Sequence, residues 1–205
     1  AFGSSRGYEG VSDIISHNGF TYVSGAYSGD INLGVGCSAS STNLQSGTGE
    51  ESISNGLPFV AKFDSNGTCI WIAPVTVTVG TGSGHPSINT ENSHKLSIDS
   101  NANLYLVSSF TSTTASFNVK LGNLTLQTVG GHNAFLAKIN PNGSYDWVKH
   151  LKQSNDNSYK RCPCTVRVDN SDNIWVTSIA GSWLHQSFLK YNPNGQLLNS
   201  TQINQ

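Results

Sequence analysis

One short motif is written three times along this chain, and the repetition constrains the fold more than any other feature. Its fullest copy spans 133–148. Phe135, Ala137 and Ile139 alternate with Leu136 and Lys138, the period of two that suits a pleated strand. A tight turn follows at Pro141-Asn142-Gly143. Proline presets φ for the first corner, and glycine takes the left-handed conformation that closes the hairpin. Tyr145 and Trp147 then share one face of the outgoing strand. The other copies span 59–71 and 187–195. In each, a lysine (Lys62, Lys138, Lys190) sits four positions before Asn-Gly. Trp71 and Trp147 sit five positions after that asparagine, where the third copy has Asn199. Repetition at tens of residues points to a repeat architecture.

The same order of strands recurs around each copy. In the first unit, runs at 11–16 and 20–25 flank the turn His17-Asn18-Gly19, ahead of a long polar insertion at 27–57. In the second, 95–99 and 103–108 flank Ser100-Asn101-Ala102. Its insertion at 110–132 carries an alternating run at 119–127, which reads as a small extra hairpin. In the third, 165–169 and 173–178 flank Asn170-Ser171-Asp172. Tyr22, Tyr105 and Trp175 hold equivalent places in the second strand of each unit. The second and third strands are nearly continuous in hydrophobics, as expected where neighbours cover both faces of a sheet. The expected fold is all-β: three four-stranded antiparallel blades of β-propeller type. The units divide at 1–75 (with a lead-in linker over 1–10), 76–152 and 153–205.

Composition narrows the function classes. Of the 205 residues only 11% are charged, with 11 Lys+Arg against 12 Asp+Glu. That balance argues against nucleic acid, whose phosphates demand a basic surface. It also argues against a polybasic membrane patch, and no stretch approaches a transmembrane span. Methionine is absent and no signal peptide is visible, which fits a processed product or a piece of something longer. Cys37, Cys69, Cys162 and Cys164 allow two disulfides in three connectivities. With a Ser/Thr/Asn-rich surface they suggest an oxidising, extracellular or surface-exposed setting. Cys162-Pro163-Cys164 has the wrong spacing for zinc. Asn66, Asn123, Asn142 and Asn199 begin glycosylation sequons, a weak signal in so Asn/Ser/Thr-rich a chain.

Residues 99–106, 121–131 and 133–147 resemble the bacterial "seven-bladed β-propeller" repeat, or SBBP repeat. Its pattern runs Asp-x-x-Gly-Asn-x-Tyr-Val, a Gly-containing run, Asp-Ala-Phe-Val-Ala-Lys-x-x-x-x-Gly, then Trp. The chain departs from it at Ala102-Asn103 and Asp172-Asn173, where Gly-Asn is usual, and at Asn133, where Asp is usual. The resemblance implies a propeller, a secreted or surface setting, and arrays without known catalysis. Three blades do not close a ring. The chain is therefore expected to be a segment of a longer repeat protein, to complete a ring with other copies, or to stack openly with capping partners.

In such a blade the tight turns fall on one side. The long connections (27–57, 75–92, 110–132 and 152–163) fall on the other, and loops held by a rigid scaffold are where binding concentrates. Tyr27, His132, Trp183 and His185 are placed there to stack on, or hydrogen-bond, a sugar or peptide. Packing at the blade entrance is the competing role for each. His85 has no recognisable partner. The Asp/Asn-rich turns at 99–103 and 169–173 invite a calcium reading. They lack the glycine and distal glutamate of a calcium loop, and such residues form turns unaided, so no cofactor is expected. Asp30, Glu50, Glu51, Glu91 and Asp156 do not locate a glycosidase pair, and no nucleophile, zinc or phosphate motif is present. No enzyme is expected. Lys62, Lys138 and Lys190 recur because the strand recurs, their stems covering apolar surface. Trp71 and Trp147 read as packing between blades. The expected function is a structural or adhesive module whose partners are other blades or copies, a surface protein, or a glycan. A lectin-like, carbohydrate-binding propeller is the alternative.

Overall fold

The computed structural model describes residues 9–40, 53–54, 56–78, 88–90, 94–112, 118–127, 131–154, 165–179 and 185–204, and there is no helix among them. The first unit holds β1 (Glu9–His17), β2 (Phe20–Tyr27), β3 (Asp30–Asn32), β4 (Ser38–Ser40), β5 (Ile53–Ser54), β6 (Leu57–Phe63) and β7 (Cys69–Thr78). The second holds β8 (Ile88–Thr90), β9 (Lys95–Ile98), β10 (Leu104–Ser112), β11 (Asn118–Leu121), β12 (Leu124–Gln127), β13 (Gly131–Ile139) and β14 (Tyr145–Ser154). The third is β15 (Thr165–Val168), β16 (Ile174–Ile179), β17 (His185–Tyr191) and β18 (Leu197–Asn204).

Each unit contains an antiparallel meander of four strands: β1-β2-β6-β7, β9-β10-β13-β14 and β15-β16-β17-β18. These are the strands the threefold repeat predicts, and the fold is all-β with several antiparallel sheets. Among the described residues no sheet closes on itself.

The turns show why the repeat keeps Asp and Asn. The Oδ1 of Asp64, Asp99, Asp169 and Asn192 each accepts the backbone N–H groups two and four residues on. One side chain thereby replaces two ladder bonds at the corner. Ala102 and Asp172 lie at φ 62° and 59°, in left-handed conformation. These are the positions where the SBBP pattern has glycine, so the departure is carried as backbone strain.

The insertions do not stay with their own units. The hairpin β11–β12, expected from the alternation at 119–127, pairs with β7 and so extends the first unit's sheet. In return β5, from the first unit's insertion, pairs in parallel with β8, which joins the second unit's sheet through β10. The 27–57 insertion also contains the separate hairpin β3–β4. Units one and two are thus interlocked by exchanged strands. A large core spans both, including Leu57, Val75, Leu96, Leu106, Val119 and Phe135. A second cluster joins units two and three through Tyr105, Leu136, Val166, Val176 and Tyr191.

A candidate interaction surface

Period-two alternation gives each meander two faces. Tyr22, Lys62 and Trp71 stand in register across β2, β6 and β7. Tyr105, Lys138 and Trp147 repeat this in the second unit, and Trp175, Lys190 and Asn199 in the third. The face bearing this row is the leading face, and the opposite one the trailing face. The leading face of unit one packs on the trailing side of unit two, and that of unit two on unit three.

The two contacts are replicas. Trp71 Nε1 donates to the carbonyl oxygen of Pro141 at 3.0 Å, and Trp147 Nε1 to that of Pro193 at 3.1 Å. Each indole lies against the glycine of the same turn, so that a Cβ on Gly143 would fall 2.8 Å from Trp71 and one on Gly195 3.0 Å from Trp147. Tyr22 and Tyr105 back these indoles at ring-centroid distances of 6.2 and 6.0 Å. The sequence alternation puts Tyr145 and Trp147 on one face, but the bulge between Lys138 and Ile139 sets Tyr145 opposite Ile139. Tyr145 therefore faces the trailing side of unit two and donates its hydroxyl to the Ala73 carbonyl oxygen at 3.0 Å. Burial holds the Tyr145 hydroxyl well above the usual tyrosine range. The first strands meet as well: Leu96 N–H donates to Asp13 Oδ2, Lys95 Nζ to the Ser12 carbonyl oxygen, and Val168 N–H to Ser97 Oγ. Ser100 donates both its N–H and its hydroxyl to the Asp172 carboxylate, linking equivalent turns of units two and three. The Ser100 hydroxyl lowers the Asp172 pKa.

The sequence reading puts the lysine heads in water, but in the structure the ammonium groups find partners inside their own units. Lys62 lies over the Phe20 ring at 3.9 Å and Lys190 over Trp175 at 4.7 Å, while Lys138 pairs with Asp146 at 3.0 Å. Unlike Asp172, the turn carboxylates of Asp99 and Asp169 are spent inside their own units. Asp99 Oδ2 accepts the Tyr105 hydroxyl, and Asp169 Oδ2 the Trp175 indole N–H. Those indole and backbone donors hold Asp169 far below the usual carboxylate range.

One polar group sits deep between units one and two. His94 is fully buried; its Nδ1 meets Ser108 Oγ at 2.8 Å, and its carbonyl oxygen accepts the Ser24 hydroxyl. Its Nε2 has no partner among the described residues. Burial, and secondarily Lys95, push its pKa down to about 4.

The residues singled out in the sequence do not gather at one place. Tyr27 is fully buried and donates its hydroxyl to the Val75 carbonyl oxygen at 3.3 Å, packed edge-on against Phe59. It is a core residue, because the insertion folds back over it and turns a connection into interior. The backbones of His132 and His185 open β13 and β17; their side chains, with Trp183, His85, Cys162 and Cys164, lie outside the described residues. Cys37 and Cys69 form a disulfide that ties the β3–β4 loop to the start of β7. Asn66, Asn123, Asn142 and Asn199 are exposed.

The repeat spacing did not reveal that two faces are left uncovered among the described residues. On the trailing side of unit one, a groove of about 620 Å³ runs between β3 and the strands β1 and β2. Val11, Ile14, Val23, Phe59 and Phe63 line it, and the 64–67 turn stands at its edge. Val11 and Ile14 are 68% and 61% exposed. On the leading face of unit three, Trp175 and Phe188 are 36% and 37% exposed. Alternating apolar residues marked both as sheet faces, but only the three-dimensional order shows which faces lack a neighbour.

No family model matches the chain, and no curated protein matches it. Among solved structures, a luciferin-regenerating enzyme aligns over 94% of this chain and 76% of its own at 11% identity, with a TM-score of 0.24. A likeness of that size carries no argument about fold or activity.

Proposed function

We propose that this chain is a run of propeller-type repeat units acting as a non-catalytic structural or adhesive scaffold in an extracellular or surface setting. The observation that carries the reading is the replicated contact: a leading-face tryptophan seated on the next unit's Asn-Gly turn, made twice with the same donor, acceptor and glycine. Chemistry repeated in this way serves stacking. The disulfide supports an oxidising compartment. The polar groups of the turns are engaged in holding corners and neighbouring units, which favours a scaffold over a reaction site. Electron microscopy of the native protein tests the architecture: an annular particle with radiating units supports it, and an extended or irregular one overturns the propeller arrangement. A glycan array tests the role. Silence across sugars keeps the scaffold, whereas specific binding lost in Trp183→Ala would replace it with the carbohydrate-binding alternative.

A further inference from the structure

Among the described residues, three features at the trailing side of unit one are unfilled copies of features filled elsewhere in the chain. The first is the turn 64–67. Its glycine, Gly67, has φ +78° and no described atom within 4 Å of a would-be Cβ, whereas Gly143 and Gly195, at φ +88° and +74°, each carry an indole. Ser65 stands where Pro141 and Pro193 offer their carbonyl oxygens to those indoles.

The second is the edge of β3. The segments Ile31-Asn32-Leu33-Gly34 and Val119-Lys120-Leu121-Gly122 correspond, and both lead into hairpin turns with a left-handed glycine. Strand β11 pairs on one side with β12 and on the other with residues 75–78 of the neighbouring β7. Strand β3 pairs with β4 alone among the described strands. The third is the apolar groove between this edge and the turn.

One ligand fills all three. In β7, the tryptophan that reaches the next turn is followed four to seven residues later by the stretch that pairs with the next hairpin. Resting on the repeat reading above, we propose that unit one docks the fourth strand of a further Trp-bearing repeat unit. The indole seats on Gly67 and donates to the Ser65 carbonyl oxygen, and the residues that follow pair with β3. The chain's own third unit is a poor occupant, because Asn199 stands at its tryptophan position. The recognition combines strand addition at a free edge with one aromatic anchor, so main-chain bonds supply register and the indole supplies selectivity.

The test uses the intact chain and a synthetic peptide of residues 70–79, which holds both Trp71 and the pairing stretch. Saturable binding is expected, with Gly67 resonances moving toward the ring-shielded positions of Gly143 and Gly195. Ile31 and Asn32 amides gain protection from exchange. Replacing the peptide's tryptophan with alanine weakens binding at least tenfold, as does Ile14→Asp in the chain, an exposed position that leaves the fold intact. A peptide that binds no better than its alanine counterpart, or that shifts residues elsewhere, overturns the proposal. So does concentration-dependent shifting of Gly67 without peptide, which would make a second copy the occupant. Trp71→Ala in the chain separates the two readings. If the 140–144 turn exchanges no faster there, the repeat reading itself fails; if it does and the peptide is silent, only the docking slot fails.

Discussion

Trp71 and Gly143 meet face to backbone: the indole covers the turn so closely that an alanine Cβ at 143 would sit 2.8 Å from its Cδ2. Gly67 has nearly the same φ, with no described atom within 4 Å of a would-be Cβ. The pair separates backbone strain from contact. Gly67→Ala should cost only the left-handed strain less the unfolded-chain entropy that alanine saves, a net of about 1 kcal/mol or less. Gly143→Ala must also displace a ring that is hydrogen-bonded to Pro141, and should cost at least about 1 kcal/mol more. Urea denaturation of both variants measures the difference. Equal losses would mean that the indole does not hold the turn.

The left-handed alanine at 102 predicts a stabilising change. A Cβ there costs about 1–2 kcal/mol, and glycine gives back about 0.4–1 kcal/mol through its freer unfolded chain. Ala102→Gly should therefore raise stability by roughly 0.5–1 kcal/mol, read as a higher denaturation midpoint. The equivalent Asp172→Gly should not, because it removes the carboxylate that holds Ser100. A gain at both positions would show that the bonds between the two turns contribute nothing.

The Cys37–Cys69 bond closes a loop across a sequence separation of 32. Loop-closure entropy of that length is worth about 3–4 kcal/mol in the chain-entropy account. Replacing both cysteines with serine should lower unfolding free energy by about that amount. It should also loosen β3–β4, whose Ile31 is buried against the core. The double variant's remaining response to reductant reports whether Cys162 and Cys164 are bonded. An unchanged midpoint in the variant would show that packing alone holds the hairpin.

Strand order was legible because each unit repeats both its alternation and its turn chemistry, and three copies correct one another. The packing role of Trp71 and Trp147 was legible for the same reason. Tyr27 was not: a tyrosine beside a polar insertion looks exposed, yet it joins a buried cluster that also holds Ile31 and Cys37 from that insertion. Nor could alternation at 119–127 say which sheet the hairpin would join, since any free edge of matching length satisfies its backbone. Cys37 found Cys69 through the packing of the 27–57 insertion, which spacing does not encode. The open faces were illegible for a related reason, because a residue such as Ile14 reads as core whether or not a neighbour is present.

His94 makes stability depend on pH. Its folded pKa, about 4, lies below the unfolded value of 6.5, so protons bind the unfolded chain more readily. Its contribution is whole above pH 6.5 and is lost as pH falls toward 4. Each unit of displacement is worth about 1.4 kcal/mol, so the loss between pH 7 and 4.5 is roughly 2–3 kcal/mol. His150 is lowered by burial too and adds in the same direction, so the wild-type profile alone does not isolate His94. The comparison with His94→Gln does. That variant loses the contact to Ser108 and should be less stable at pH 7, yet it should fall less steeply on acidification, and the two curves should converge near pH 4.5. Parallel curves would mean that His94 is hydrated or protonated in the folded protein, which would contradict its burial between the first two units.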